Sequence, residues 1–225
     1  MNTESKAPAA PVQPEQEKGV PFLKGERVTL RTFGPADIEK VYRWINDPAV
    51  NRSLLRGDIP MGWSDELEWV DRSRRRREES ITLGIEIAEI GLIGVTGLDI
   101  QWPNRSGDTG TMIGEPSAWG KGYGTEAKML VLSHAFRRLN LRNIYSKVYA
   151  FNERSIRCQQ RCGYIEEARL KECIFRDGLY HDLVILTATR ESFEAAEAAW
   201  KEKRVTQQEG LIMDFSGSAV PRLFH

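Results

Sequence analysis

Three glycines at alternate positions, Gly120, Gly122 and Gly124, stand directly before an apolar run in "EPSAWGKGYGTEAKMLVLSHAF", Glu115 to Phe136. Glycines spaced this way let successive backbone N–H groups turn toward one centre with no side chain in the way. A helix opening at Thr125 adds unpaired N–H groups and the positive end of its dipole. Together these make a cradle for a phosphate or diphosphate, with Lys121 as a cation at its edge. A turn that only caps a core helix uses the same residues, and the loop alone does not separate the two readings. The pattern is neither the dinucleotide G-x-G-x-x-G nor a Gly-Lys-Ser/Thr phosphate loop. The long, proline-bearing bend Glu115–Trp119 suits a site better than a simple cap.

The rest of the chain alternates strands with helices. "RVTLRTF" (27–33) reads as a half-buried strand. Gly34-Pro35 opens a helix carrying Ile38, Val41, Tyr42 and Ile45, which Asp47-Pro48 stops. Ser64 opens a second helix, with acids in its first turn and Arg74 to Arg77 in its last, as the helix dipole favours. Residues 80–90 and 91–100 form a hairpin turning around 89–91. A short strand, 107–115, precedes the glycine loop. After it come a helix (125–139) facing inward with Ala127, Leu130, Val131, Ala135 and Leu139, a strand (142–151) and a short helix (152–162) ended by Gly163. Two strands joined around 176–178 and an alanine-rich helix follow. This order predicts one α/β (α+β) domain built on a mixed, mostly antiparallel sheet.

Composition narrows the function classes. The 225 residues carry no formal net charge, so no overall field favours nucleic acid. No apolar run approaches the roughly 20 residues of a membrane span. Residues 1–21 are rich in Pro, Ala, Gln and Glu and are expected to form a disordered arm without a secretory signal. Three cysteines, an odd number, point to reduced thiols and a cytoplasmic protein. Cys158 and Cys162 are spaced i, i+4, but no second pair and no nearby His completes a metal site. His134 and His181 read as structural. The run "RSRRRREES" reads as a solvated helix end.

The segment from "DTGTMIGEPSAWGKGYGTEA" through "FNERSIRCQQRCGYIEEARL" to "TATRESF", with "VTLRTFGPADIEKVYRWINDPAV" at the front, resembles the GCN5-related N-acetyltransferase superfamily. Within it, the resemblance is to the branch of ribosomal-protein N-terminal acetyltransferases and their small-molecule relatives. It covers about 22–193, with 1–21 as an arm and 194–225 as a C-terminal helix and tail. It implies a central sheet of six to seven strands flanked by about four helices and splayed between the fourth and fifth strands. It also implies acetyl-CoA as cosubstrate, with its diphosphate on Trp119, Gly120, Lys121, Gly122, Tyr123, Gly124 and Thr125. Trp119 stands where the family usually has Gln or Arg.

By the same resemblance, free backbone groups of Met112, Ile113 and Gly114 pair with the pantetheine arm, and the Ile113 N–H polarises the thioester carbonyl. Asn152 bonds the arm from the other side. Gln159 stands where many members have the Tyr that protonates the leaving thiolate, which moves that role to Ser155. As plain sequence, Asn152 is also an N-cap and Ser155 also a solvated helix serine. The amine acceptor must lose a proton before attack, since alkyl ammonium groups have pKa values near ~10.4 and peptide amines near ~8. Glu115 is the first choice of base and Asp108 the second. Trp44 falls outside the apolar stripe of its helix, so it is expected to line the acceptor pocket.

These residues describe an N-acetyltransferase acting on a protein N-terminus or a small amine by direct attack in a ternary complex, without a metal. The alternatives are a non-catalytic acyl-CoA-binding module of the same fold and a nucleotide-binding glycine loop. Neither nucleic acid nor membrane is expected as a partner. The apolar "GLIMDF" near the C-terminus suits either a fold-over segment or a homodimer contact.

Overall fold

A computed structural model describes residues 19–34, 36–54, 59–75 and 78–216, with the side chains of all but 70–75 and 205–216. The N-terminal arm to residue 18, Pro35, the side chains of Arg74 to Arg77 and those of "GLIMDF" lie outside that description.

The strands are β1 (Pro21–Lys24), β2 (Thr29–Arg31), β3 (Ser80–Ile87), β4 (Gly91–Gln101), β5 (Ser106–Ile113), β6 (Asn143–Tyr149), β7 (Ile165–Arg176) and β8 (Leu179–Thr189). The helices are α1 (Asp37–Asn46), α2 (Pro48–Asn51), α3 (Trp63–Arg75), α4 (Tyr123–Ser133), α5 (Glu153–Arg161) and α6 (Arg190–Ser216). One eight-stranded sheet runs β1-β2-β3-β4-β5-β6-β8-β7. The strand beyond the expected six to seven is β1, a short edge strand whose Pro21 lacks a ladder donor. Helix α6 starts at Arg190, so the expected boundary after Phe193 falls within its first turn.

Neighbouring strands are antiparallel except β5 and β6. These two run parallel and pair only over Ser106–Asp108 against Asn143–Tyr145. Both strands continue beyond that point, so the sheet is splayed there, as the resemblance implied.

Adjacent residues on a strand face opposite sides of the sheet. Ile93 joins a large core with α4 and α6 residues such as Leu132, Phe136 and Phe193. Its neighbour Leu92 joins a smaller cluster with Val41, Trp44 and Val50 of α1 and α2. Helices therefore cover both faces. The helix after the glycine loop begins two residues earlier than expected. Its last turn widens to a π-helix over His134–Arg138, which the regular spacing did not signal. Turns fall where glycines were expected: Gly91, Gly163 and Gly178 all have positive φ.

Candidate active site

The gap between β5 and β6 opens into a cavity of about 820 Å³. Its narrow end is held by hydroxyls in place of ladder bonds. Thr109 Oγ1 donates to Tyr145 O (3.3 Å) and accepts from Lys128 Nζ (3.0 Å), and it meets Tyr164 Oη at 2.6 Å. Ser146 Oγ donates to Thr109 O (3.2 Å), and Gln159 Nε2 donates to Ser146 Oγ (2.8 Å). Lys128 is fully buried, and burial pushes its pKa down. Nothing in an amphipathic pattern marks this lysine as an interior residue. Gln159, which the resemblance set in the place of a Tyr, is a buried strut whose amide nitrogen is committed to Ser146.

On the β5 side, the N–H groups of Gly114 and Glu115 both donate to Ile93 O (2.9 and 3.1 Å), which is a β-bulge. Ladder alternation then pairs Met112 with Val95 and turns the backbone groups of Ile113 and Thr111 toward the gap. The expectation of free backbone groups at Met112, Ile113 and Gly114 is corrected accordingly. Only Ile113 of the three faces the gap, and Thr111 joins it.

The glycine loop forms the opposite wall. Gly120 and Gly122 have φ of 75° and 84°, the left-handed region where glycine is favoured. The first loop-to-helix bond is Glu126 N–H to Gly122 O (3.1 Å). The amides of Gly120, Lys121, Gly122, Tyr123, Gly124 and Thr125 have no backbone acceptor among the described residues. Trp119, Gly120, Gly122, Tyr123, Gly124 and Thr125 line the cavity, so these donors stand at its edge. Such a row fits an anion that accepts several bonds at once.

Three contacts hold the loop in place. Trp119 Nε1 donates to Ile113 O (2.7 Å), which ties the loop to β5. Arg27 Nη1 donates to Lys121 O (3.0 Å). Glu126, almost fully buried, accepts from Arg27 N, Arg27 Nε and Val28 N, and Arg204 of α6 reaches the same carboxylate. Burial pushes the Glu126 carboxyl up, but the bonds and charge of Arg27 outweigh it and hold it below the ordinary value. Lys121 does not line the cavity. Besides Lys128 and Lys147, the cations that do are Arg154, stacked on Trp119 at 4.4 Å, and Arg161, seven residues on along α5. That i, i+7 spacing was the missed signal.

Asn152 caps α5, accepting from Ser155 N (3.1 Å), and both residues line the cavity. The Ser155 hydroxyl makes no hydrogen bond among the described residues. Cys158 sits on the same helix with its Sγ 3.4 Å from Thr125 Oγ1. Its thiol is held at about 6 by hydrogen bonding to Cys162 and Thr125 and by the charges of Lys128 and Arg161, against the opposing effect of burial. The three cysteines are free, and no metal-binding cluster occurs among the described residues.

Two expectations are corrected here. Glu115 does not line the cavity, because its carboxylate caps the turn at Pro116–Ala118, accepting from Ser117 N and Ser117 Oγ (3.4 and 3.0 Å). Trp44 is buried against Gly114, where a Cβ would overlap its ring, and Trp69 lines the cavity instead. Asp108 lines the cavity. Burial pushes its carboxyl up, opposed by Lys147 at 3.6 Å.

Comparison with known proteins gives a consistent result. The family described as an acetyltransferase (GNAT) domain matches residues 27–165. The chain is 29% identical over 160 residues to the spermidine N(1)-acetyltransferase of Vibrio cholerae, covering 70% of this chain and 90% of that one. It is 26% identical over 177 residues to the putative ribosomal N-acetyltransferase YdaF of Bacillus subtilis, covering 75% and 94%. The crystal structure of the Vibrio cholerae spermidine N-acetyltransferase in complex with CoA and spermine superposes with a TM-score of 0.66 at 26% identity, covering 74% of this chain and 98% of that one.

Proposed function

Because this chain belongs to the GNAT acetyltransferase family, we propose that it transfers the acetyl group of acetyl-CoA to a primary amine by direct attack in a ternary complex. The observation that carries the proposal is the row of uncommitted amides from Gly120 to Thr125 at the cavity wall. These amides take the diphosphate, and Arg154 and Arg161 add cations beside it. Asn152 and the gap-facing backbone groups of Thr111 hold the pantetheine arm, while the Ile113 carbonyl stays with Trp119 Nε1.

The Ile113 N–H polarises the thioester carbonyl where charge develops during attack. Ser155 Oγ, without a hydrogen-bond partner among the described residues, donates to the departing thiolate. Gln159 takes no part in that step, since it has no proton to give. With Glu115 turned away, the proton of the incoming ammonium passes through water to Asp108, which lies five residues along β5 from Ile113 and whose raised pKa suits a group that must accept it.

We also place the chain in the ribosomal-protein N-terminal acetyltransferase branch and the catalytic domain at 22–193. The motif combination and the similarity to YdaF support the branch. The acceptor is a protein N-terminus or a small amine. No described helix is long and apolar enough to cross a membrane. The free cysteines support a cytoplasmic location, and the C-terminal segment is a candidate homodimer contact.

The test is a pooled amine library with acetyl-CoA, read by thiol release and by mass detection of acetylated product. One thiol per acetylated amine is expected. CoA binding with no thiol released would make the chain a binding module. Stabilisation by ATP or NAD but not by CoA would make it a nucleotide binder.

A further inference from the structure

The cavity that meets the glycine loop is also lined by residues of α1, α2 and α3, which form its lobe away from the loop's own residues, and its lining carries both signs of charge. Lys128, Lys147, Arg154 and Arg161 line it from α4, β6 and α5, whereas Glu66, Asp99 and Asp108 line it from α3, β4 and β5. Asp99 and Asp108 are direct cross-strand partners, so two carboxylates share one face of the sheet. Like charges placed this way repel unless a cation lies near them. Lys147 serves Asp108, and Asp99 has no ion pair among the described residues.

Glu66 makes the stronger case. It is 1% exposed, and neither carboxylate oxygen has a hydrogen-bond partner among the described residues, yet it lines the cavity. Burial pushes its carboxyl up, as expected for a group with no counter-charge. A buried carboxylate without a partner is costly, and the cost is offset once a ligand supplies the missing donor and charge. The same lobe is lined by Val41, Ile45, Met61 and Trp69, an apolar wall that fits a hydrocarbon chain or its equivalent.

We propose that this lobe is a subsite for a cationic group on an aliphatic body, with Glu66 as its counter-ion. It takes the end of the acceptor remote from the amine that is acetylated. The inference rests on the acetyl-transfer reading for the word acceptor, but the cation site itself does not require turnover. An acceptor with a neutral or anionic far end leaves Glu66 unpaired and is discriminated against.

The test is calorimetric binding of 1,5-diaminopentane and of 5-amino-1-pentanol to the CoA-saturated protein. The two probes share a reacting end and differ in the charge of the other. The diamine is expected to bind about tenfold more tightly. Glu66→Gln, similar in shape but uncharged, is expected to bring the two affinities together while leaving CoA affinity unchanged. Equal affinities in the wild type, or a preference that survives Glu66→Gln in a variant still binding CoA, overturns the proposal. If that variant does not fold, the wild-type ratio decides. The same two probes are also supplied with acetyl-CoA and free thiol is read; a Glu66-dependent binding preference with no thiol release upholds the cation site and rejects acetyl transfer. Thiol release from both probes at equal affinity does the reverse.

Discussion

The Arg27 guanidinium donates to Lys121 O across 3.0 Å while its Nε and backbone N–H are held by buried Glu126. Arg27, two residues before β2, thereby takes one carbonyl of the glycine loop and draws it away from the cavity wall. A loop whose carbonyls are held outside presents its amides inside. An added Cβ at Gly122 would make only an ordinary 3.4 Å contact with the same guanidinium, so it is the positive φ that restricts this position.

Arg27→Met keeps the apolar stem and removes the strut. CoA affinity is expected to fall about tenfold, or ~1.4 kcal/mol. Calorimetric titration checks this, and an unchanged Kd in a folded variant contradicts the role. The Glu126 end also carries a pH dependence. Its pKa is lower folded than unfolded, so its contribution to stability is complete above the unfolded value and is lost as pH falls through the folded one. Melting curves from neutral to acid pH should show Glu126→Gln converging on the wild type at the acid end.

Gly122→Ala places a side chain at φ 84°, which costs about 1–2 kcal/mol. For a chain of this size that lowers Tm by about 2–4 °C per kcal/mol. The same change tilts two amides of the row and should weaken CoA binding. A melting scan and a CoA titration on one sample check both effects.

Ser155→Ala removes one hydrogen bond to a group becoming charged, worth about 1.5–3 kcal/mol. The expected loss is roughly 10- to 150-fold in kcat with little change in the KM for acetyl-CoA. Glu115→Gln should leave kcat unchanged, because that carboxylate faces Ser117. Steady-state kinetics on the two variants side by side would reveal a reversal of these roles.

Gly114→Ala forces a Cβ into the ring of Trp44. Overpacking of this kind costs about 1–3 kcal/mol. Trp44→Leu in the same chain makes room, so the double variant should be more stable than the sum of the single losses. Denaturant unfolding of the four proteins measures the coupling, and additive losses would mean that the contact is not what restricts Gly114.

Cys158 should be alkylated by iodoacetamide at neutral pH, with a rate that rises as pH increases through about 6, because the thiolate is the nucleophile. Cys162, buried and with its thiol pushed up by the neighbouring Cys158 and by burial, should remain unmodified. CoA should protect Cys158, which lies against Thr125 of the loop. Peptide mass mapping with and without CoA reads all three outcomes.

Local rules placed most of the fold. Alternation marked β3 and β4, glycines marked the turns at 91, 163 and 178, and apolar spacing marked α1 and α4. Gly120, Gly122 and Asn152 could be placed because each depends on a local requirement, a positive φ or a helix cap, whereas Ser155 entered only through the family resemblance. What escaped depends on tertiary neighbours. Lys128 looks like a surface lysine until β5 and β6 part beside it. Glu66 looks like a first-turn acid suited to a helix dipole until α3 packs over the cavity. Glu115 was misassigned because its nearest partner, Ser117, is only two residues away and turns it outward. Trp44 was read from its own helix, but it is buried against Gly114, just past the end of β5.

The central claim is that the amides from Gly120 to Thr125 grip the diphosphate of CoA. The direct measurement is residue-resolved amide hydrogen exchange across this loop, with and without saturating CoA. Slowed exchange spread over these consecutive amides is the predicted result. Unchanged exchange at Gly120 to Thr125 while CoA is demonstrably bound would contradict the account.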